Sequence, residues 1–281
     1  LLGNILKQAI ACYNTHMDIR IIVAAHKEAP MPTDDMYLPV FAGSSLADSI
    51  PEGYQADNEG ENISFLNPMY CELTALYWGW KNIPGVTSES SYLGMVHYRR
   101  WFGCKRKGAF GKADIIRYIG KKKVMVPRAR NYYIETLKTH YCHTHGSSTL
   151  DECENVIREL YPEYLESFNK ALSRSYGYMF NMMIMRGDLL DQYLSWLFKL
   201  LYELTLRIDN TGMNDYDRRY PGRIAELLLN VWIEYMRSTG VIKHHDVGTL
   251  PWYCTTGDNR KEKAKALLKA KYKGEKYHNS F

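Results

Sequence analysis

The sequence predicts an α/β fold with a mostly parallel central sheet flanked by helices. Apolar runs of strand length recur at DIRIIVAA, SYLGMVH and YMFNMMIM, with helically periodic stretches between them. Strands that alternate with helices in this way are joined by crossovers and lie mostly parallel. No internal repeat or linker divides the 281 residues, and 46% apolar side chains suffice for one large core.

The elements follow in chain order. DIRIIVAAHK (18–27) alternates and then runs apolar, which marks a first, central strand ending at Ala25, His26 and Lys27. EAPMPTDDMYLPVFAG is loop, with room for a short edge strand at MYLPVFAG. DNEGENIS (57–64) is a turn. NPMYCELTALYWGWKN (67–82) reads as one helix, with Asn67 as cap, Pro68 at the first helical position, and Leu73, Leu76, Tyr77 and Trp80 at helical spacing.

SYLGMVHYRRWF (91–102) is the second strong strand, and it runs straight into His97, Tyr98, Arg99 and Arg100. ADIIRYIG is a short helix and KVMVP a strand. Residues 131–145 (NYYIETLKTHYCHTH) read as helical, and 148–173 as two helices parted near Pro162. YGYMFNMMIMR (176–186) is a third apolar strand. GDLLDQYLSWLFKLLYELTLRI and PGRIAELLLNVWIEYMRSTG are long amphipathic helices, and a last strand is expected near GVIKHH.

Composition narrows the function. The formal net charge is only +5, but lysines gather at 121–123 and in RKEKAKALLKAKYKGEKYHNSF (260–281), which suits an anionic partner. Acidic residues number 31 and the lysines concentrate in the tail, so a nucleic-acid partner is not expected. The six cysteines form no CxxC pair, as expected of free thiols in a reducing cytoplasm. No run reaches transmembrane length, and the opening LLGNILKQAIACYNTHM lacks a basic start. GxGxxG, GxxxxGK[ST] and GxSxG are all absent, which argues against dinucleotide-fingerprint, P-loop and nucleophile-elbow chemistry. The 23 tyrosines and 6 tryptophans suit sugar or base stacking as well as an ordinary core.

Ligands of open α/β sheets gather at the carboxyl ends of the strands. Three such ends stand out: Ala25–His26–Lys27, His97–Tyr98–Arg99–Arg100, and the stretch from Asn181 to Arg186. Arginine pairs bidentately with phosphate oxygens, so a diphosphate would account for the paired cations. HYCHTH (140–145) resembles a metal cluster. On a helix, however, Cys142 and His145 share one face and His140 and His143 another, so His145 is expected to meet a phosphate or sugar hydroxyl instead. Asp215-Tyr216-Asp217 is a D-x-D triplet, but it lies in a loop beside Arg218 and Arg219 and reads as structural.

Taken together, AHK, ENIS followed by YCELTALYWGWKN, GMVHYRRWF, VPRARNYYIETLKTHY, YMFNMMIM and GRIAELLLNVWI occur in an order that resembles a bacterial family of capsule, O-antigen and exopolysaccharide glycosyltransferases. That family was long catalogued as a domain of unknown function, and some members are galactofuranosyltransferases. The resemblance runs from about residue 18 to the tail. It implies a GT-A-like domain over 18–258, after an N-terminal extension at 1–17 and before a basic tail at 259–281. It also implies a UDP-sugar donor, UDP-galactofuranose first, and inversion at the sugar. The implied acceptor is a lipid-linked oligosaccharide at the inner face of the cell membrane, with the tail lying on anionic lipid.

Where the family is expected to carry A-E-R, this chain has Ala225-Glu226-Leu227. The implied catalytic residues are Glu226 as base, with Arg99 and Arg100 in place of a metal, so no cofactor is expected. The implied substrate contacts are Ala25, His26, Lys27, Asn62, Tyr70, Glu72, Tyr77, His97, Tyr98, Asn181 and His145. Alternatives are a transferase of the same fold using UDP-galactopyranose or UDP-glucose, or a non-catalytic sugar- or nucleic-acid-binding domain.

Overall fold

The computed structural model describes residues 17–256; the basic tail and, save Met17, the N-terminal extension lie outside the described residues. The strands are β1 (Asp18–Ala25), β2 (Tyr37–Phe41), β3 (Gln55–Ala56), β4 (Ser91–His97), β5 (Arg100–Cys104), β6 (Gly108–Ala109), β7 (Val124–Pro127), β8 (Arg130–Asn131), β9 (Tyr176–Gly177), β10 (Met183–Arg186), β11 (Val247–Leu250) and β12 (Trp252–Cys254). The helices are α1 (Asn67–Tyr70), α2 (Leu73–Asn82), α3 (Lys112–Ile119), α4 (Leu137–His145), α5 (Ser148–Leu160), α6 (Leu165–Leu172), α7 (Gly187–Arg207) and α8 (Tyr220–Ser238).

The main sheet runs β11-β7-β10-β4-β1-β2-β3. β1 is parallel to both β4 and β2, and β11 is parallel to β7, whereas β10 runs against both of its neighbours. The sheet is thus mostly parallel, as the alternation of strands and helices implies. Side-chain period 2 sorts each strand between two layers. Ile22, Ala24, Leu93, Met95, Met183 and Met185 join the core built with α2 and α4–α8. Ile19, Ile21, Val23, Tyr92, Val96 and Ile184 join a smaller core with α3 and β5.

Several expected elements are shorter or interrupted. The helix expected over 67–82 breaks after Tyr70, because Cys71 takes a positive φ of 53°. Asn67 is therefore no N-cap; its Nδ2 donates to the Cys71 carbonyl at the break. The strand expected over 91–102 is a hairpin, with β4 and β5 meeting antiparallel at His97 and Arg100. The strand expected over 176–186 is two short pieces, parted by Phe180 and Asn181 at φ 73° and 53°. The helix expected over 131–145 starts only at Leu137, behind a Thr136–Thr139 capping box. MYLPVFAG is not an edge, since β3 pairs beyond β2. The segment near GVIKHH closes in a 3-10 turn at His244–Asp246, and the strand follows at Val247.

Gly94 explains how closely the central strands pack. A Cβ there would lie 2.8 Å from Ile184 Cγ1 and 2.9 Å from the Met183 carbonyl of β10. Gly94→Ala is therefore expected to destabilise the fold by about 1–3 kcal/mol in urea melts.

Candidate active site

The carboxyl ends of β1, β4 and β7 open onto a cleft of about 980 Å³, walled on the other side by α4, α8 and the loop before α8. At its centre is the β4–β5 hairpin. The Tyr98 amide donates to the Ala24 carbonyl at 3.1 Å, which ties the turn to the end of β1, and the Thr255 amide donates to the Arg99 carbonyl at 3.0 Å. Both arginines line the cleft. The Arg100 guanidinium lies 4.6 Å from the Phe180 ring centroid. Arg99 lies on the side of His26, whose imidazole is pushed below its usual range by burial first and then by Lys27, Arg219 and Arg99.

Two carboxylates face these cations, and each depends on an interruption described above. The break at Cys71 turns Glu72 into the cleft, where its Oε1 accepts from Asn181 Nδ2 at 2.8 Å. Asn181 also donates to the Gly222 carbonyl of α8 at 3.0 Å, so it joins the two elements from behind the cleft surface. The left-handed turn at Phe180 leaves both main-chain polar groups of that residue free to meet side chains. The Phe180 amide donates to Glu226 Oε2 at 2.8 Å, and His97 Nε2 donates to the Phe180 carbonyl at 2.6 Å. Burial pushes the Glu226 carboxyl up to about 7; Glu72 adds to the rise, while the Phe180 amide, Arg100 and Arg130 oppose it. Glu226 is thus poised near neutrality, as a general base requires.

The cleft brings together Ala25, His26, Glu72, His97, Tyr98, Arg99, Arg100, His145 and Glu226. His145 is neutral: burial and then Arg223 hold it down to about 3, and its Nδ1 shares a hydrogen bond with Tyr216 Oη at 3.3 Å. The remaining expected contacts lie elsewhere, and all but Lys27 are engaged by other parts of the fold. Asn62 donates to the Asn58 and Gly60 carbonyls of its own turn. Tyr70 is buried, with its hydroxyl 3.5 Å from Thr205 of α7. Tyr77 donates to Glu61 and packs edge-on against Phe198. Lys27 is exposed beside Tyr98, its Nζ 5.7 Å from the ring centroid and outside the cleft lining.

Sequence reasoning missed four arginines. Arg128, Arg130, Arg219 and Arg223 also line the cleft, giving six guanidiniums against the carboxylates of Glu72 and Glu226. A signal for two of them was available: KVMVP exits onto R-A-R as SYLGMVH exits onto R-R. Arg223 stands one turn before Leu227 on α8 and stacks on Tyr216 at 3.9 Å, so a cation remains on this helix face although the expected A-E-R reads A-E-L. Neither acid of the D-x-D triplet lines the cleft. Asp215 is fully exposed, and Asp217 Oδ2 accepts from Asn214. Among the described residues no three His, Cys, Asp or Glu side chains cluster to hold a metal.

The family model Domain of unknown function (DUF4422) matches residues 20–237. No curated protein matches the chain. Among solved structures the chain is similar to the apo form of WbbM, a bifunctional glycosyltransferase, at a TM-score of 0.75 and 26% identity. The alignment covers 85% of this chain and 46% of that one, so the chain spans about half the length of that structure.

Proposed function

The chain belongs to the DUF4422 family, and on that premise we propose that it is a glycosyltransferase domain acting in bacterial surface polysaccharide synthesis. The donor is a UDP-sugar, UDP-galactofuranose first, and the acceptor a lipid-linked glycan. The likeness to a bifunctional glycosyltransferase supports this reading. The observation that carries it is the cleft itself: six arginines converge where an anionic diphosphate would lie, beside a carboxyl poised near 7.

In the proposed inverting step, Glu226 takes the acceptor hydroxyl proton on Oε1, the oxygen that Phe180 leaves free. The acceptor oxygen bonds to the anomeric carbon from the face opposite UDP. The bond from that carbon to the diphosphate breaks, and its electron pair departs on the β-phosphate oxygen. Arg99 and Arg100 stabilise that charge in place of a divalent ion. Arg219, which shares the His26 side of the cleft with Arg99, completes the diphosphate seat.

A thermal-shift panel tests this. UDP at a hundredfold excess over Kd is expected to stabilise the protein by about 2.7 kcal/mol, a rise of several degrees in Tm. The shift is expected to persist in EDTA; a shift that requires Mn²⁺ would remove the arginine assignment. UDP-galactofuranose, UDP-galactopyranose and UDP-glucose in the same panel separate the donor alternatives.

The basic tail, outside the described residues, is proposed to lie on anionic lipid with its leucines inward. Among the described residues no helix is long and apolar enough to cross a membrane. Co-sedimentation with anionic vesicles is expected for the full chain and not for one truncated at 258.

A further inference from the structure

The wall formed by residues 130–145 carries two features that the donor seat and Glu226 leave unused. The first is a buried carboxylate that holds two imidazoles. Glu135 is 5% exposed; its Oε2 accepts from His140 Nδ1 at 3.0 Å and its Oε1 from His143 Nδ1 at 2.6 Å. Burial pushes the Glu135 carboxyl up, but the two imidazole hydrogen bonds outweigh it and hold it ionised. Burial also keeps His140 neutral against the pull of Glu135. With Nδ1–H committed to the carboxylate, His140 can only present Nε2 as an acceptor. His140 lines the cleft, and no donor among the described residues reaches that nitrogen.

The second feature is Tyr133. Its backbone is left-handed at φ 57°, a region that side chains other than glycine rarely adopt, yet its ring is 84% exposed. Burial of the ring therefore does not offset the strain. Two hydrogen bonds close the turn: the Tyr133 amide donates to Asn131 Oδ1 at 2.7 Å, and the Ile134 amide donates to the Tyr132 carbonyl at 2.7 Å. Tyr133 is one of the residues that line the cleft. Strain retained around an exposed functional group points to use rather than packing.

A sugar ring offers an apolar face and a directional set of hydroxyls, and this wall offers an aromatic face and a directional acceptor. We propose that it is the acceptor-sugar subsite: the Tyr133 ring stacks on the apolar face of the acceptor sugar, and His140 Nε2 accepts a hydrogen bond from one of its hydroxyls. Glu135 is the positioning residue that fixes the His140 tautomer. The proposal rests on the transferase reading and adds the place and chemistry of the second substrate.

The test measures binding of three methyl hexopyranosides (galactoside, glucoside and mannoside) to the UDP-loaded protein by saturation-transfer NMR. The wild-type chain is expected to bind at least one. Tyr133→Gly is expected to weaken it about tenfold through loss of stacking. Because glycine accepts the left-handed backbone without strain, the same variant keeps or raises Tm, which a merely structural tyrosine would not allow. His140→Ala is expected to weaken binding by about tenfold, and His140→Gln, whose amide oxygen reaches the Nε2 position, to restore part of it. Glu135→Gln, able to accept from one imidazole and not both, falls between wild type and His140→Ala for the sugar and leaves UDP affinity unchanged.

Unchanged sugar affinity in Tyr133→Gly and His140→Ala overturns the subsite, and so does absence of saturation transfer to all three sugars from the wild-type chain. Sugar binding without any response to UDP keeps the subsite and overturns the transferase reading instead.

Discussion

Glu226→Gln is expected to lower turnover by ~10²–10⁴-fold, the usual contribution of a general base, with UDP binding intact. It is also expected to make the protein more stable above pH 7. The sign follows from the folded carboxyl titrating at about 7 against an ordinary 4.5. Between those values the folded chain holds the proton more tightly than the unfolded one. The associated stability is complete below about pH 4.5 and is lost as pH rises through about 7. At ~1.4 kcal/mol per unit, the charged side chain costs up to roughly 3 kcal/mol at pH 8. Glutamine keeps the shape and still accepts from the Phe180 amide, so the variant should melt several degrees higher at pH 8 and alike at pH 4. Wild-type turnover should rise with pH through about 7 as the base ionises. Near-normal turnover in the variant would remove Glu226 from the reaction.

Arg100→Ala is expected to cost ~10²–10³-fold in kcat, the loss typical of one preorganised donor to a developing negative charge. It carries a second signature. Arg100 is one of the cations that hold the Glu226 carboxyl down, so its removal lets that carboxyl rise further. The acid limb of the pH–rate profile should therefore move upward from about 7. Arg100→Lys should keep the limb close to its wild-type position, because the charge remains. It should recover only part of the rate, because an ammonium lacks the planar fork that grips two phosphate oxygens. A full rate with an unmoved limb in Arg100→Ala would show that this guanidinium does not face the leaving group.

What could be read from the residues and what could not divides along a physical line. The ends of β1 and β4 were legible because each apolar run stops on cationic side chains, which do not continue a buried strand. Tyr70, Tyr77 and Asn62 were misplaced because spacing shows which residues share an element, not which face a partner covers. Tyr77 turned to Glu61 and Phe198, groups far away in sequence. The interruptions at Cys71 and at Phe180–Asn181 were hidden for a different reason. YCELTALYWGW keeps helical periodicity across the break, and in YMFNMMIM the one local mark is Asn181, a residue type that tolerates a left-handed backbone, inside an otherwise apolar run. These are the places where local preference and tertiary structure disagree, and they build the site: one delivers Glu72, the other the main-chain carbonyl and amide of Phe180 that meet His97 and Glu226.

The main-chain groups of Phe180 matter for mutational scanning. Its N–H meets Glu226 and its C=O meets His97, so every replacement that can adopt its left-handed backbone retains both contacts, and proline does not. A saturation library would then score the position by its ring alone, against Arg100 and Trp252, and report tolerance. Only a change that no codon encodes, such as an ester in place of the Met179–Phe180 amide, would expose how much Glu226 owes to that N–H.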